Sequence, residues 1–364
     1  CISRQLWWGH RIPVFYCKDC DNIMVTKDEP KMCSKCRSIN IYQDEDVLDT
    51  WFSSWLWPFS TLGWPNEEGN EDLKYFYPTD LLVTGPDIVF FWVARMIMAG
   101  LEFRNDIPFK DVYFTSIIRD IQGRKMSKSL GNSPDPLDVI NDYGADALRF
   151  TIIFLAPIGQ DVKFASEECE IGRNFANKIW NAGRFLLMHK NQLEYKTDTS
   201  KIYEDLVLSD KWILSSFNRS IKNIEKSLDE YNINEASKLI YSFFWHDFCD
   251  WYIEIIKQRI NSSNNRDEKC KILSRALFIY EESLKLVHPF MPFITEEIWQ
   301  NIDERPENSS ISVAGYPQVN EKMIDEQSET EMLYIQKIVE SVREIRSQMR
   351  SEEHTSELQS HSFI

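Results

Sequence analysis

The stretch Gly123-Arg-Lys-Met-Ser-Lys-Ser-Leu-Gly131 places two lysines and two serines in one short loop between glycines. It follows the apolar segment Val112 to Ile118, which predicts a buried strand. A loop at the end of a strand, rich in ammonium and hydroxyl donors, suits a triphosphate whose negative charge must be stabilised in a transition state. A solvated surface turn is the alternative that these residue types alone leave open.

A second motif is a C-x2-C-x12-C-x2-C array formed by Cys17, Cys20, Cys33 and Cys36. Each pair brackets two residues, so that one turn can present both thiolates to a tetrahedral ion. Zinc prefers four sulfur ligands in closed structural sites, and four sulfurs leave no open position for catalysis. The array therefore predicts a structural zinc module over residues 14–42, with a coincidental set of free thiols as the alternative.

Bulk properties indicate a globular chain with more than one domain. Its 364 residues suffice for two or three cores, and 43% of them are hydrophobic. The remaining four cysteines are scattered, which favours a reducing compartment over a disulfide framework. The sequence shows neither a membrane-length apolar run nor a secretory signal, so we expect no membrane association and a cytoplasmic setting by default. The net charge of −16 argues against nonspecific nucleic-acid binding but allows a local basic face.

Between residues 77 and 100 the pattern is strand, turn and helix. Leu81 to Val83 is a short apolar run, Thr84 to Asp87 is a turn, and Ile88 to Met98 is an apolar helix. A glycine turn between a strand and a helix is where an open α/β sheet binds a nucleotide. Asp87 could accept hydrogen bonds from a ribose, or it could simply cap the helix.

Beyond residue 165 the pattern becomes helical. Apolar residues recur every three or four positions and predict three amphipathic helices of an antiparallel bundle. An earlier helix, interrupted at Gly144, and two later ones complete the set. The predicted segments are Leu137 to Phe150, Trp212 to Leu228, Leu239 to Ile255, Ile272 to Leu284, a helix beginning near Thr295, and Met332 to Met349.

The segment Lys125-Met-Ser-Lys-Ser129 resembles the KMSKS signature of class I aminoacyl-tRNA synthetases. Other segments resemble the valyl branch of that class, and the likeness extends from Cys1 to about Met349. Synthetases for isoleucine share the lysine loop and remain an alternative. The segments that carry the resemblance are Cys1 to His10, Asp46 to Ser54, Thr84 to Trp92, Asn132 to Pro136, Arg173 to Asn181 and His288 to Trp299.

The resemblance implies activation of valine by ATP with Mg²⁺, followed by transfer of the valyl group to tRNA(Val). It implies phosphate contacts for Lys128, with Lys125 beside it, while Ser127 and Ser129 hold the loop or donate to phosphate. Trp8 and Trp51 would wall the amino-acid pocket or pack in a core. The nucleotide-binding residues implied are Gly85, Asp87, Met126 and Lys128.

The implied fold is a partial Rossmann-type nucleotide-binding domain with a small zinc ribbon, followed by an all-α helical bundle. We expect the catalytic half over residues 1–140, a helical connecting region over 141–204 and an anticodon-binding domain over 205–349. In the bundle, contacts to tRNA are expected from exposed basic residues such as Arg173, Lys178 and Arg184, although a solvated helix face is the alternative for each.

The sequence also departs from the class. None of its six histidines forms the His-x-Gly-His (HIGH) motif, and the inserted editing domain is not represented. Residues 350–364 resemble the translation of a sequencing adapter, with a genuine polar tail as the alternative. We therefore expect a fragment of a normally monomeric enzyme, inactive alone. The competing hypothesis is a stand-alone, non-catalytic, zinc-bearing tRNA-binding module.

Overall fold

The computed structural model describes residues 2–195 and 198–348, without the side chains of Lys128, Thr199 and Gln348. The chain divides into two compact units, Cys1–Thr115 and Ser116–Ile364. Within the described residues no helix has the length and apolar character needed to cross a bilayer. The expectation for residues 350–364 falls outside the described residues.

The strands in the described part of the chain are short and lie mostly in the first unit. They are β1 (Ser3–Arg4), β2 (Val14–Cys17), β3 (Ile23–Val25), β4 (Ile41–Gln43), β5 (Val47–Leu48), β6 (Thr79–Thr84), β7 (Phe109–Phe114), β8 (Ile118–Arg119) and β9 (Val162–Lys163).

Helices make up most of the second unit. In the described part of the first unit the α-helices are α1 (Trp51–Ser54), α2 (Trp57–Ser60), α3 (Glu71–Phe76) and α4 (Ala94–Arg104). In the described part of the second unit they are α5 (Pro136–Tyr143), α6 (Ala145–Leu155), α7 (Glu170–Gln192), α8 (Leu208–Asp229), α9 (Ile233–Ser242), α10 (Glu254–Ser262), α11 (Arg266–Val287), α12 (Pro292–Ile302) and α13 (Glu326–Gln348).

The first unit contains a strand–helix–strand element. Strands β6 and β7 pair in parallel, from Thr79 opposite Phe109 to Thr84 opposite Phe114, and α4 lies between them in sequence. Parallel neighbours need a crossover of this kind, because a tight turn cannot join them. The predicted strand–turn–helix pattern is thus confirmed, as a partial α/β sheet.

The prediction of one strand from Val112 to Ile118 is wrong. Strand β7 ends at Phe114, and the N–H of Thr115 donates to Thr84 O at 2.9 Å. The chain then begins a second parallel pair, in which Ile118 lies opposite Val162 of β9. The polar residues Thr115 and Ser116 interrupt the apolar run, and the two halves take different partners.

The break predicted at Gly144 is confirmed. Gly144 has φ 95° and ψ 151°, a conformation that favours glycine, and it separates α5 from α6. Helix α6 then packs closely on α7. The approach is so close that a Cβ atom on Gly172 would lie 2.4 Å from the backbone oxygen of Ala147.

The predicted apolar stripes form the core of the second unit. Trp212, Phe248 and Leu277 are at most 5% exposed and belong to one cluster. The stripe from Leu239 to Ile255 continues from α9 through a π-helical segment, Phe243–Ile253, into α10.

A buried carboxylate lies among these helices. Asp210 of α8 is fully buried and accepts hydrogen bonds from the hydroxyl of Tyr252 at 3.1 Å and from Nη1 of Arg259 at 2.8 Å. Its second oxygen lies 3.0 Å from Nη1 of Arg275, which is 1% exposed. A buried charge is stable when it is paired and hydrogen-bonded in this way.

Asp210→Asn removes the negative charge between two arginines and leaves buried positive charge uncompensated. We expect the free energy of unfolding to fall by about 3–5 kcal/mol, measured by chemical denaturation of the chain. Asp229→Asn, at the exposed end of the same helix, makes the same charge change as a control. Equal stabilities of the two variants would contradict a central role for Asp210.

Candidate functional site

The four cysteines lie on two turns of nearly the same geometry. In the first, the N–H of Asp21 donates to Cys17 O at 3.0 Å, and Asp21 has φ 53°. In the second, the N–H of Arg37 donates to Cys33 O at 3.0 Å, and Arg37 has φ 62°. Each turn is closed by a hydrogen bond within its own backbone, and its two cysteine thiols point to the same side.

The three-stranded antiparallel sheet β3-β2-β4 supports these turns. The four sulfur atoms all lie within 4.8 Å of one another, with 3.5 Å between Cys17 and Cys36 and 3.7 Å between Cys20 and Cys33. Zinc–sulfur bonds of about 2.3 Å in a tetrahedron put the sulfurs about 3.8 Å apart. The donor set and its spacing fit a tetrahedral metal ion.

Donors from the protein also face the sulfur of Cys33. The N–H of Lys35 lies 3.4 Å from it, and Nδ2 of Asn22 lies 3.7 Å from it. Backbone donation, first from Cys36 and then from Lys35, lowers the pKa of Cys33 to about 6. Such donors favour the thiolate, which is the form that binds metal.

The turn after β6 begins a continuous helical segment. Gly85 occupies the N-cap position of the short 3₁₀ helix Pro86–Ile88, so the interpretation of Asp87 as the capping residue is wrong. Asp87 is exposed in the first turn of that helix. The π-helical segment Val89–Val93 follows and leads into α4.

Trp51 lies beside this helical segment, within the same unit. Its ring stacks on Phe91 with 6.1 Å between centroids, and the guanidinium of Arg95 lies 5.8 Å from the Trp51 ring. Nη1 of Arg95 is buried and has no hydrogen-bond partner among the described residues. Trp8, by contrast, is 83% exposed, so core packing is the wrong interpretation for Trp8.

The lysine loop, in the second unit, begins at the end of β8 with a tight turn. The N–H of Gly123 donates to Asp120 O at 2.8 Å, and the backbones of Arg119 and Lys125 form an isolated antiparallel β-bridge across the turn. Gly123 and Gly131 have φ values of 83° and 61°, which other residues adopt only with strain. The glycines that bracket the motif therefore shape both of its ends.

Inside the loop the two serines contact each other. Their hydroxyl oxygens are 3.2 Å apart, and the N–H of Leu130 donates to Oγ of Ser127 at 3.3 Å. Met126 is partly buried against a small core cluster that includes Val139. Lys125 is exposed, and the side chain of Lys128 lies outside the described residues.

Asp120 and Asn132, which flank this loop, belong to the candidate site although the sequence does not single them out. Asp120, 7% exposed, accepts hydrogen bonds from the N–H groups of Gln122 and Arg124 and from the side chains of Arg124 and Asn132. The amide of Asn132, followed by donors from Arg124, lowers the pKa of Asp120 to about 2, so the carboxylate is ionised. The one available signal was an acidic residue directly after a strand and before a glycine turn.

Two of the basic residues nominated for tRNA contacts form ion pairs. Arg173 lies 3.1 Å from Glu170, and Lys178 lies 2.7 Å from Asp250. Arg184 is exposed on α7.

Comparison with protein families gives two matches. The model for class I tRNA synthetases (I, L, M and V) matches residues 1–165, and the model for the anticodon-binding domain of tRNA ligases matches residues 210–359.

Curated relatives match nearly the whole chain. A valine–tRNA ligase of Thermotoga maritima is 52% identical over 349 residues, covering 96% of this chain and 39% of the relative. The valine–tRNA ligase of Clostridium acetobutylicum is 51% identical with the same coverage. The chain thus spans about two fifths of the length of the curated relatives that it matches.

Solved structures with the same fold are class I synthetases at low sequence identity. A LeuRS of Agrobacterium radiobacter, in a ternary complex with tRNA and LeuAMS, aligns with a TM-score of 0.69 and 19% identity, over 89% of this chain and 42% of that one. The methionyl-tRNA synthetase of Mycobacterium tuberculosis with methionyl-adenylate aligns with a TM-score of 0.64 and 19% identity, over 86% of this chain and 56% of that one. The solved structures show the fold alone. The two family models and the relatives about half identical over 96% of its length show that the chain belongs to the class I aminoacyl-tRNA synthetases, among the valine–tRNA ligases.

Proposed function

We propose that this chain supplies the lysine-loop half of the catalytic site and the anticodon-binding part of a valine–tRNA ligase. The observation that carries the proposal is the intact lysine loop, held on a closed turn, in a chain 52% identical to such a ligase. A module that only binds RNA has no use for that loop.

The reaction has two steps. The carboxylate of valine attacks the α-phosphate of ATP, which releases pyrophosphate and leaves valyl-adenylate. The valyl group then passes to the terminal adenosine of tRNA(Val). In the first step the protein must position two substrates and stabilise charge on the departing pyrophosphate, which Mg²⁺ also binds.

The lysine loop stabilises the charge on the departing pyrophosphate. We assign the pyrophosphate contact to Lys128, with Lys125 beside it, because an ammonium group is a compact charge that suits phosphate. Ser127 and Ser129 hold the loop through their mutual contact or donate to phosphate. Met126 acts by anchoring the loop in the small core cluster under it.

The first unit supplies the other nucleotide and amino-acid contacts in this proposal. Gly85 and Asp87 follow a parallel strand at the edge where α/β sheets bind nucleotides, and they are assigned to the adenosine. Trp51, held between Phe91 and Arg95, is assigned to the wall of the valine pocket. Trp8 is exposed and available for the same wall.

We propose that the four cysteines bind one structural zinc ion. The sulfur spacing supports this, as do the N–H donors on Cys33. With four thiolates the ion has no open position, so it ties the two turns together and takes no part in activation.

The helical second unit is proposed to contact tRNA(Val) in a cytoplasmic, monomeric enzyme. Residues 1–140 and 205–349 then correspond to the catalytic and anticodon-binding parts, joined by residues 141–204. Arg184 is the best placed of the three nominated basic residues, because the other two are neutralised by carboxylates.

The test uses a chimera in which this chain replaces the matched 349-residue segment of the Thermotoga maritima ligase. We expect valine-dependent ATP–pyrophosphate exchange from the chimera and none from the chain alone, which lacks a His-x-Gly-His motif. A folded chimera without exchange would contradict the assignment. Preference for isoleucine would support the isoleucine alternative, and exchange by the chain alone would refute the need for that motif.

Lys128→Ala in the chimera should lower the exchange rate at saturating valine by about 10²–10³-fold, the usual cost of removing one transition-state donor. The Michaelis constant for valine should change little, since valine makes no contact with the pyrophosphate. Lys226→Ala, an exposed lysine at the end of α8, is the matched control. An unchanged exchange rate in Lys128→Ala would remove this lysine from the mechanism.

Cys33→Ser should lower the zinc content of the purified chain from one ion to well below one, measured by elemental analysis. Residues 14–42 should then exchange amide hydrogens faster, because the metal no longer joins the turns. Cys270→Ser, a buried cysteine outside the cluster, should keep full zinc. Full zinc in Cys33→Ser would rule out the four-sulfur site.

A further inference from the structure

We propose that Asp120 and Asn132 are positioning residues that hold the lysine loop, residues 124–131, in the shape that receives ATP. The inference rests on the proposed function and adds two residues to it. Neither belongs to the lysine signature itself, and both act through the loop backbone.

The first support is that the pair joins the two ends of the loop. Nδ2 of Asn132, directly after Gly131, donates to Oδ2 of Asp120 at 2.9 Å. This contact closes a ring over residues 120–132, and Asp120 is itself fixed at the end of β8 by the sheet. A loop closed in this way loses most of its conformational freedom before any ligand arrives.

The second support is a contact from the same amide to the middle of the loop. Oδ1 of Asn132 accepts a hydrogen bond from the N–H of Ser127 at 2.9 Å. The amide of Asn132 therefore lies between the base of the loop and the residue that precedes Lys128. A displacement of Asp120 is therefore transmitted through the planar side-chain amide of Asn132 to Ser127 in the lysine signature.

The third support is electrostatic. A free carboxylate near a triphosphate would repel it, yet Asp120 accepts four hydrogen bonds from protein donors. Its charge is thereby compensated by groups of the turn and of Asn132. The loop keeps a net positive character from Lys125, Lys128 and Arg124, as phosphate binding requires.

Only one oxygen of Asp120 contacts Asn132, so the clamp between Asp120 and Asn132 can be altered while the N–H contacts of the turn are kept. Oδ1 accepts from the N–H groups of Gln122 and Arg124, whereas Oδ2 accepts from the side chains of Arg124 and Asn132. In Asp120→Asn the remaining oxygen can keep the N–H contacts of the turn, while the new NH₂ group faces two donors, the NH₂ of Asn132 and the Nε–H of Arg124, and breaks both contacts. Asn132→Asp instead places two carboxylate oxygens opposite each other.

The double variant Asp120→Asn/Asn132→Asp should restore the contact between residues 120 and 132 with donor and acceptor exchanged. The contact from Nε of Arg124 and the 3.4 Å contact from Nδ2 of Asn132 to Lys125 O stay lost, so we expect partial recovery. The contact to the signature survives this exchange, because a carboxylate oxygen in Asn132→Asp can still accept from the N–H of Ser127. Asp142→Asn, at an exposed acid of α5, controls for the loss of one negative charge.

The first readout uses the chain itself and a lysine-specific protease. The loop offers cleavage after Lys125 and Lys128, and protection depends on its order. We expect each single variant to be cut in the loop at least about tenfold faster than the parent, the effect of losing one charged hydrogen bond. The double variant should be cut more slowly than either single variant, and Asp142→Asn should be cut near the parent rate. Thermal unfolding of all variants should agree within a few degrees.

The second readout is exchange kinetics in the chimera. Each single variant should lower the exchange rate at saturating valine and raise the Michaelis constant for ATP, while the Michaelis constant for valine stays unchanged. The double variant should recover part of the loss. Parent-like single variants, or a double variant no better than either single one, would overturn the proposal. Failure of the proposed function is distinguishable, since the unmutated chimera would then show no exchange while the protease comparison still reports on the clamp.

Discussion

The second unit depends on a carboxylate placed where no water reaches it. Tyr252, Arg259 and Arg275 all direct donors at the buried carboxylate of Asp210. Those donors come from different helical segments, so the charge is compensated only when the segments meet in one arrangement. Hydrophobic burial would tolerate a helix rotated by part of a turn, but an unpaired buried charge would not. Apolar packing and the ion cluster therefore favour the same arrangement of these helices.

The helices of this bundle were within reach of sequence reasoning. Stripes such as Trp212 to Leu228 need only local periodicity, and they lie inside α8 as expected. The break at Gly144 was also predicted, because glycine is a local signal. The prediction for Val112 to Ile118 was wrong, since the division of this segment depends on partners as distant as Val162. A run of apolar residues does not record which strand will pair with it.

The candidate site shows the same division. The spacing in the sequence predicts that Cys17, Cys20, Cys33 and Cys36 come together, and the structure puts their sulfurs within 4.8 Å of one another. The lysine signature can likewise be identified from the sequence alone. Asp120 and Asn132 were missed, because an aspartate before a turn and an asparagine after one are ordinary residues until their contact is seen. The interpretation of Asp87 as a cap failed for a similar reason, since Gly85 already begins the helix.

The two cysteine turns have a consequence for how the module tolerates change in length. Each two-residue spacer is closed by a backbone hydrogen bond and a residue with positive φ, Asp21 or Arg37, so adding one residue would turn a thiol away from its partners. The connection from Thr26 to Met32 is held at its start by the N–H of Thr26, which donates to Pro13 O at 3.2 Å, and its residues have no positive φ. Lengthening such a loop costs little entropy. Insertions are therefore tolerable between the turns and damaging within them, so that the two cysteine turns are fixed in shape while the chain that joins them is free to vary in length.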